Sequence, residues 1–121
     1  MGNKTILVIE DDEINLKLVK ALFKFSEYNI VEAGDAEAGI QLARECRPEL
    51  ILMDVQLPGM DGMQATRIIK EDPALKDITV VALSSHAMVG DEEKAKEAGC
   101  DGYMTKPIDT RNFITTVAQY L

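Results

Sequence analysis

Residues 50–54 read LILMD, four consecutive apolar residues followed by an aspartate. A strand that is covered by helices on both faces is apolar without alternation, because neither face meets water. Similar apolar runs occupy residues 6–9 and 80–83, and shorter ones occupy residues 30–31 and 103–104. The sequence therefore predicts five strands, with the three longest runs at the centre of a parallel sheet.

Between these runs, apolar residues recur at the three- and four-residue spacing of amphipathic helices. The spacing is carried by Leu18, Leu22 and Phe25, by Ala36, Ile40 and Ala43, by Ala65, Ile68 and Ile69, and by Phe113, Val117 and Leu121. A fourth helix has a weaker pattern, with acids at residues 91–93 in its first turn and Gly99 where a left-handed residue would end it. Asp12, Asp35 and Asp109 are the predicted N-caps of the first, second and fifth helices.

The resulting order alternates strand and helix five times. Right-handed crossovers then predict an α/β protein with a doubly wound, five-stranded parallel sheet and helices on both faces. No linker, internal repeat or low-complexity tract divides the 121 residues. We therefore expect one domain over residues 1–121.

Composition disfavours several classes of function. The formal net charge of −8 argues against direct nucleic-acid binding, which uses clustered Lys and Arg. No apolar run approaches the roughly 20 residues of a membrane helix, and the N-terminus lacks a secretory signal. We therefore expect a cytoplasmic protein without membrane contact. Cys46 and Cys100 lie far apart with no further ligand at metal spacing, which predicts two reduced, partly buried thiols.

Polar residues follow four of the predicted strands, at the edge where doubly wound sheets bind ligands. They are Glu10, Asp11 and Asp12 after the first strand, Asp54 after the third, Ser84 and Ser85 after the fourth, and Lys106, which Pro107 follows, after the fifth. Neighbouring carboxylates repel one another, and a hard divalent cation keeps them ionised. Mg²⁺ suits such an oxygen site because it retains waters and leaves room for phosphate oxygens.

The chain resembles the receiver domains of response regulators in four segments that occur in the same order, namely ILVIEDD (6–12), ILMDVQLPGMDG (51–62), VVALSS (80–85) and YMTKPI (103–108). The resemblance covers essentially the whole chain. It is greatest to single-domain receivers of the cell-cycle and phosphorelay type, through EDDEIN (10–15) and AMVGDEEK (87–94). It implies a flavodoxin-like (βα)5 fold with strand order 2-1-3-4-5.

The same resemblance implies a role for each acidic residue. Asp54 is expected to accept a phosphoryl group and to bind Mg²⁺. Asp11 is expected to bind the metal directly, Glu10 through water and Gln56 through its backbone carbonyl. For Asp12, capping of the first helix is favoured over metal binding.

Five residues match switching or tuning positions of the family. Ser84, where Thr is commoner, matches the hydroxyl that bonds a phosphoryl oxygen, and Lys106 matches the cation that pairs with the phosphate. Tyr103 matches the aromatic residue whose inward turn accompanies activation. Gln56 and His86 occupy the positions that orient or exclude the water that hydrolyses the aspartyl phosphate.

The resemblance thus implies a phosphoacceptor protein of two-component signalling. The donor is expected to be a phosphohistidine on a sensor histidine kinase or a histidine phosphotransfer protein. Phosphorylation is expected to change the protein-binding surface of the domain, which would then bind a downstream protein target. The domain would assist its own phosphorylation and dephosphorylation without turning over a separate substrate.

Two alternatives are left open at this point. The chain is either complete or excised from a hybrid kinase or a multidomain regulator. A flavin- or phosphate-binding enzyme of the same architecture is disfavoured, because EDDE (10–13) stands where a flavodoxin-like protein needs Ser, Thr and Gly. The glycine-rich Gly-Lys-Ser/Thr loop of nucleotide enzymes is also absent from the sequence.

Overall fold

A computed structural model of the chain describes residues 4–84, 90–106 and 109–121. Within these ranges, strands and helices alternate throughout. The strands are β1 (Thr5–Ile9), β2 (Asn29–Ala33), β3 (Leu50–Asp54), β4 (Thr79–Ser84) and β5 (Gly102–Thr105). The helices are α1 (Glu13–Leu22), α2 (Ala36–Cys46), α3 (Gly62–Glu71), α4 (Asp91–Ala98) and α5 (Phe113–Ala118).

The five strands form one sheet in the order β2-β1-β3-β4-β5, and all the pairings are parallel. This confirms the predicted fold and strand order. In the sheet, β2 lies on one side of β1 and β3 lies on the other, so the strand order reverses between β1 and β3. A crevice forms at such a reversal, beyond the carboxyl ends of the two strands.

The alternation of side chains along β3 explains why residues 50–53 are all apolar. Ile51 and Met53 pack on one face with residues of α2, α3 and α4, whereas Leu50 and Leu52 pack on the other with residues of α1 and α5. Successive strand residues point to opposite faces, and here each face has its own hydrophobic core. All five β3 residues, including Asp54, are buried.

Several predicted helix ends are confirmed. The Asp12 side chain accepts a hydrogen bond from the backbone N–H of Ile14 at 2.9 Å and caps α1. Asp35 accepts from the backbone N–H of Ala38 at 2.8 Å and caps α2. Gly99 ends α4 with a φ of 106°, a left-handed conformation that costs glycine little.

The prediction that Asp109 caps α5 is wrong. The helix begins at Phe113, and its N-cap position is Asn112. The Asp109 side chain instead accepts from the backbone N–H of Arg111 and from the side chain of Asn112, both at 3.0 Å. Asp109 therefore stabilises a turn before the helix, because its carboxylate is satisfied by nearer donors than the first helical N–H groups.

Two predicted helical residues lie beyond their helices. Phe25 follows the end of α1 and is 93% exposed, whereas Phe23 is buried and packs edge-on against Phe113. One aromatic residue thus fills the core position, and the chain turns away after it. Leu121 likewise lies past α5 and packs partly buried against the α1 and α5 side of the core.

The expectation of two partly buried thiols is wrong for Cys46, which is exposed at the end of α2. Cys100 is buried, and its thiol lies 3.7 Å from the hydroxyl oxygen of Thr66. Both cysteines are free. None of the described helices has the length and apolar character that crossing a membrane requires.

Candidate functional site

A cleft of about 280 Å³ opens where β1 and β3 end. We call it the acidic cleft, and its lining consists of Glu10, Asp11, Asp12, Asn15, Asp54, Gln56 and Lys106. Parallel strands end at the same edge of the sheet, so residues that are far apart in sequence meet there. The structure therefore brings together the predicted acids, Gln56 and the predicted lysine.

Three carboxylates of the acidic cleft form a close cluster. Carboxylate oxygens of Glu10, Asp11 and Asp54 all lie within 4.8 Å of one another. Glu10 and Asp54 are buried, whereas Asp11 is exposed at the mouth of the cleft. An all-oxygen donor set with one solvent-facing member fits a hard cation such as Mg²⁺, which keeps several waters.

The proximity of these carboxylates alters their protonation. Burial and the neighbouring Glu10 carboxylate raise the pKa of Asp54 to about 7, against the opposing effects of Lys106 and the Gln56 backbone N–H. Burial also opposes ionisation of Glu10, but hydrogen bonds with Asp54 and Lys106 lower the pKa of that carboxyl below its ordinary value. A proton held between the two acids therefore resides mainly on Asp54.

Lys106 provides the positive charge in the cleft. Its Nζ lies 2.7 Å from Glu10 Oε1 and 3.4 Å from Asp54 Oδ2, and the side chain is only 10% exposed. Its backbone N–H donates to the carbonyl of Ser84 at 2.8 Å, directly after β5. The hydrogen bond with Glu10 and the charges of both acids raise the pKa of Lys106, although burial opposes this. The lysine is therefore cationic at neutral pH.

Gln56 contacts residues at the ends of two adjacent strands. Its backbone N–H donates to Asp54 Oδ1 at 3.0 Å, and its side-chain Nε2 donates to Ser84 Oγ at 3.3 Å. Ser84 is the last residue of β4 and is 1% exposed. The sheet register pairs Asp54 with Leu83, the residue before Ser84, so the predicted acceptor and the predicted hydroxyl lie at the ends of neighbouring strands.

The loop after β3 explains the glycine of the segment MDG (60–62). A Cβ at Gly62 would collide with the backbone carbonyl of Asp54 and would lie 2.9 Å from Val55 Cα. The Gly62 N–H donates to the Val55 carbonyl at 3.1 Å. Glycine at this position therefore lets α3 begin directly against the strand end that carries Asp54.

Tyr103 lies on β5 and packs against the core on the α2, α3 and α4 side of the sheet. Its hydroxyl is buried and finds no hydrogen-bond partner in the part of the chain that the structure describes. The ring therefore faces inward here, and its predicted movement on activation stays a prediction. Ser85, His86 and Pro107 lie outside the described residues.

Sequence reasoning missed Asn15, which lines the acidic cleft. Its side-chain Nδ2 donates to Asp12 Oδ2 at 3.3 Å. The signal was available, because a residue three positions after a helix cap lies on the same face of the first turn. Asp12 also lines the cleft while it caps α1, so its carboxylate has both a capping contact and a position near the cluster.

A family model described as the response regulator receiver domain matches residues 6–118. The chain belongs to this family. The predicted identification as a receiver is thereby confirmed. Receiver domains take up a phosphoryl group in two-component signalling, and this chain is accordingly a signalling protein rather than a classical enzyme. The flavin-binding alternative receives no support.

Individual relatives agree with this assignment. The receiver is 42% identical over 118 residues to the polar-differentiation response regulator DivK of Brucella anthropi, which covers 98% of this chain and 96% of that protein. It is also similar to the receiver domain of sensor histidine kinase PA1611 from Pseudomonas aeruginosa PAO1, a structure with a magnesium ion coordinated in the active site cleft. That match has a TM-score of 0.88 at 28% identity and covers 98% of each chain.

A third similar protein is the Mn²⁺-bound form of response regulator Rcp1. The TM-score is 0.83 at 29% sequence identity, and the match covers 96% of this chain and 90% of that one. Two receivers that share this fold have therefore been observed with a divalent cation.

Proposed function

We propose that residues 1–121 form one receiver domain that accepts a phosphoryl group on Asp54 from a phosphohistidine donor. The observation that carries this proposal is the convergence of three carboxylates and one ammonium in the acidic cleft. Glu10, Asp11 and Asp54 have oxygens within 4.8 Å of one another, and Lys106 Nζ lies 3.4 Å from Asp54 Oδ2.

The same cluster is the proposed Mg²⁺ site. Asp11 and Asp54 would hold the ion directly, Gln56 through its backbone carbonyl and Glu10 through water. When bound, Mg²⁺ supplies positive charge that offsets the repulsion between the carboxylates and the incoming phosphoryl oxygens. The oxygen donor set and the cation-bound structures of two similar receivers support this proposal.

In the proposed reaction, an Asp54 carboxylate oxygen attacks the phosphorus in line, and the bond from phosphorus to the donor histidine nitrogen breaks. Positioning and charge neutralisation supply most of the catalysis in such transfers. The Gln56 backbone N–H holds Asp54 Oδ1, which restrains rotation of the acceptor carboxylate. Lys106, whose Nζ lies 3.4 Å from Asp54 Oδ2, would offer its ammonium to the phosphoryl oxygens.

Switching is proposed to follow from the new charge. A phosphoryl group adds about −1.5 to −2 charges and three acceptor oxygens. Ser84 and Lys106 would bond these oxygens, and Tyr103 would respond through the neighbouring β5, altering the surface that α4, β5 and α5 form. Gln56 and His86 are proposed to influence the hydrolysis that ends the signal.

The proposed donor is a sensor histidine kinase or a histidine phosphotransfer protein, and the proposed output is binding to a downstream protein. The family membership supports both kinds of partner. We place the protein in the cytoplasm and propose no direct contact with nucleic acid or membrane, in keeping with its net charge of −8. The domain would promote its own phosphorylation and dephosphorylation without a separate substrate.

Incubation with acetyl phosphate and Mg²⁺, followed by intact-protein mass spectrometry, tests the proposal. The wild type should gain one phosphoryl group, and Asp54→Asn should gain none. Asp35→Asn is the matched control, since the same chemical change falls at a helix cap outside the cleft and Asn also caps helices well. Phosphorylation of Asp54→Asn would show that the acceptor is another residue.

A further inference from the structure

Gln56 lies between two residues of the proposed site, Asp54 and Ser84, and forms a hydrogen bond with each. Its main chain contacts Asp54 and its side chain contacts Ser84, at 3.0 and 3.3 Å respectively. These contacts span neighbouring strands, because Asp54 ends β3 and Ser84 ends β4. A single residue therefore contacts both the proposed acceptor and the hydroxyl proposed to bind the phosphoryl group.

Ser84 has little freedom apart from rotation of its side chain. It is paired with Thr105 across the β4 and β5 ladder, and its carbonyl accepts the N–H of Lys106 at 2.8 Å. With the backbone fixed in this way, the hydroxyl changes its direction by moving between staggered rotamers. A hydrogen bond to Oγ therefore bears directly on which rotamer is occupied.

We propose that Gln56 is a positioning residue whose amide holds the Ser84 hydroxyl in its resting direction, so that switching includes loss of this hydrogen bond. The proposal deepens the proposed function and rests on it, since Ser84 must redirect towards a group on Asp54. Gln56 is itself exposed, so its amide reaches water when it releases Ser84. The resting contact thus adds a modest cost to activation, as a single neutral hydrogen bond does.

Removing the amide should make the switch easier. Gln56→Met keeps the length and bulk of the side chain but has no N–H donor. Gln56→Asn keeps the amide but is one methylene shorter, which withdraws the donor from Ser84. In both variants we expect the Mg²⁺-dependent affinity for beryllium fluoride, used as a phosphoryl mimic on Asp54, to increase about threefold.

A double-mutant cycle isolates the contact from other effects of each substitution. The full-length wild type, Gln56→Met, Ser84→Ala and the double variant are titrated with beryllium fluoride in saturating Mg²⁺. The threefold gain from Gln56→Met should disappear in the Ser84→Ala background. Gln41→Met is the control, because it removes an amide that donates to Glu45 on the surface of α2 and should leave the affinity unchanged.

A spectroscopic reading detects the hydrogen bond without any phosphoryl mimic. The side-chain amide resonance of Gln56 should shift in Ser84→Ala, whereas that of Gln41 should not. A purely structural effect of the substitution would not single out Gln56.

Different results would overturn the proposed function and the positioning role of Gln56. Wild type that does not bind beryllium fluoride in Mg²⁺, or that binds it equally well as Asp54→Asn, would overturn the proposed function and the positioning role with it. Normal binding by wild type would leave the proposed function intact. If Gln56→Met has the same effect with Ser84 and with Ser84→Ala, or if it weakens binding where Ser84 is present, the role of Gln56 alone is overturned.

Discussion

Lys106 Nζ lies 2.7 Å from Glu10 Oε1, closer than its 3.4 Å separation from Asp54 Oδ2. Glu10 and Lys106 are both largely removed from solvent, with 1% and 10% of their side chains exposed. The lysine that is proposed to meet the phosphoryl group is thus paired mainly with the acid that follows β1. Loss of one partner from such a buried pair leaves the other charge poorly compensated.

We expect Glu10→Gln to weaken Mg²⁺ binding by about tenfold, the scale typical of residues that act on a metal through water or through its ligands. The neutral amide also releases Lys106 towards Asp54, where its charge opposes a cation. Titration calorimetry or amide chemical shifts measure the affinity. Glu13→Gln is the control, since that acid lies exposed in the first turn of α1. Equal affinities in Glu10→Gln and wild type would contradict the proposed role.

Asp11→Ala should reduce Mg²⁺ affinity much more than Asp12→Asn. Asp11 is a proposed direct ligand, and an open oxygen site of this kind is expected to bind in the micromolar to millimolar range, by order of magnitude. Asp12 lies in the same cleft but caps α1, and Asn can retain that cap. The same titrations compare the two variants. A larger loss in Asp12→Asn would exchange the assigned roles.

The raised pKa of Asp54 predicts how stability depends on pH in metal-free buffer. Between about pH 4, the ordinary value for Asp, and about pH 7, the folded protein retains a proton that the unfolded chain has released. Stability therefore falls as the pH rises through this window, and the full cost is present above pH 7. Asp54→Asn removes the titrating group and with it this cost.

Urea unfolding in the presence of a chelator measures that effect. The stabilisation by Asp54→Asn relative to wild type should be about 2 kcal/mol larger at pH 8 than at pH 5. Mg²⁺ should stabilise wild type at pH 8 and have little effect on the variant. A pH-independent difference between the two proteins would show that Asp54 ionises normally.

Lys106→Ala should separate phosphorylation from switching. Some phosphoryl transfer is expected to survive, but the chemical shifts around Tyr103 should change less than in phosphorylated wild type, because the ammonium no longer pulls the end of β5 towards Asp54. NMR spectra before and after phosphorylation provide the comparison. Lys96→Ala, at an exposed site on α4, is the matched control. Identical changes around Tyr103 in both proteins would refute the coupling.

The lifetime of the phosphoryl group should depend on Gln56 and His86. Polar side chains at these positions hold water near the acyl phosphate better than apolar ones. Gln56→Met with His86→Phe should slow phosphoryl loss several fold, or roughly 1 kcal/mol in the barrier. Decay of the phosphorylated mass after donor removal gives the rate. Unchanged or faster decay would count against assistance by these residues.

Much of the acidic cleft is predictable because it depends on short-range pattern. The apolar run at residues 50–53 marks a strand buried on both faces, and the next residue, Asp54, must then emerge at the carboxyl edge of the sheet. The same reasoning places Asp11 and Lys106 at that edge. Asp35 as a helix cap follows from its own side chain and the next three residues.

The predictions for Phe25 and Asp109 failed for the same physical reason, which is that more than one nearby residue or hydrogen-bond donor could meet the same local requirement. Phe23 and Phe25 both lie near the end of α1, and packing against Phe113 and Tyr28 selects Phe23 for the core. Asp109 is a good capping residue by type, but the donors of the preceding turn reach its carboxylate first. The intrinsic preference of a residue specifies which local structures it can adopt, and its neighbours in the tertiary structure select one of them.

The sequence by itself determined the order of strands and helices, the edge of the sheet that carries the chemistry and the residue types gathered there. Only the tertiary structure decided which partners those side chains take. Lys106 pairs with Glu10 across a separation of 96 residues, and Gln56 reaches Ser84 across 28. Differences of a few tenths of an ångström in distance decide whether such contacts form. These distances depend on how the packed helices position the strand ends relative to one another, and no local sequence pattern encodes that arrangement.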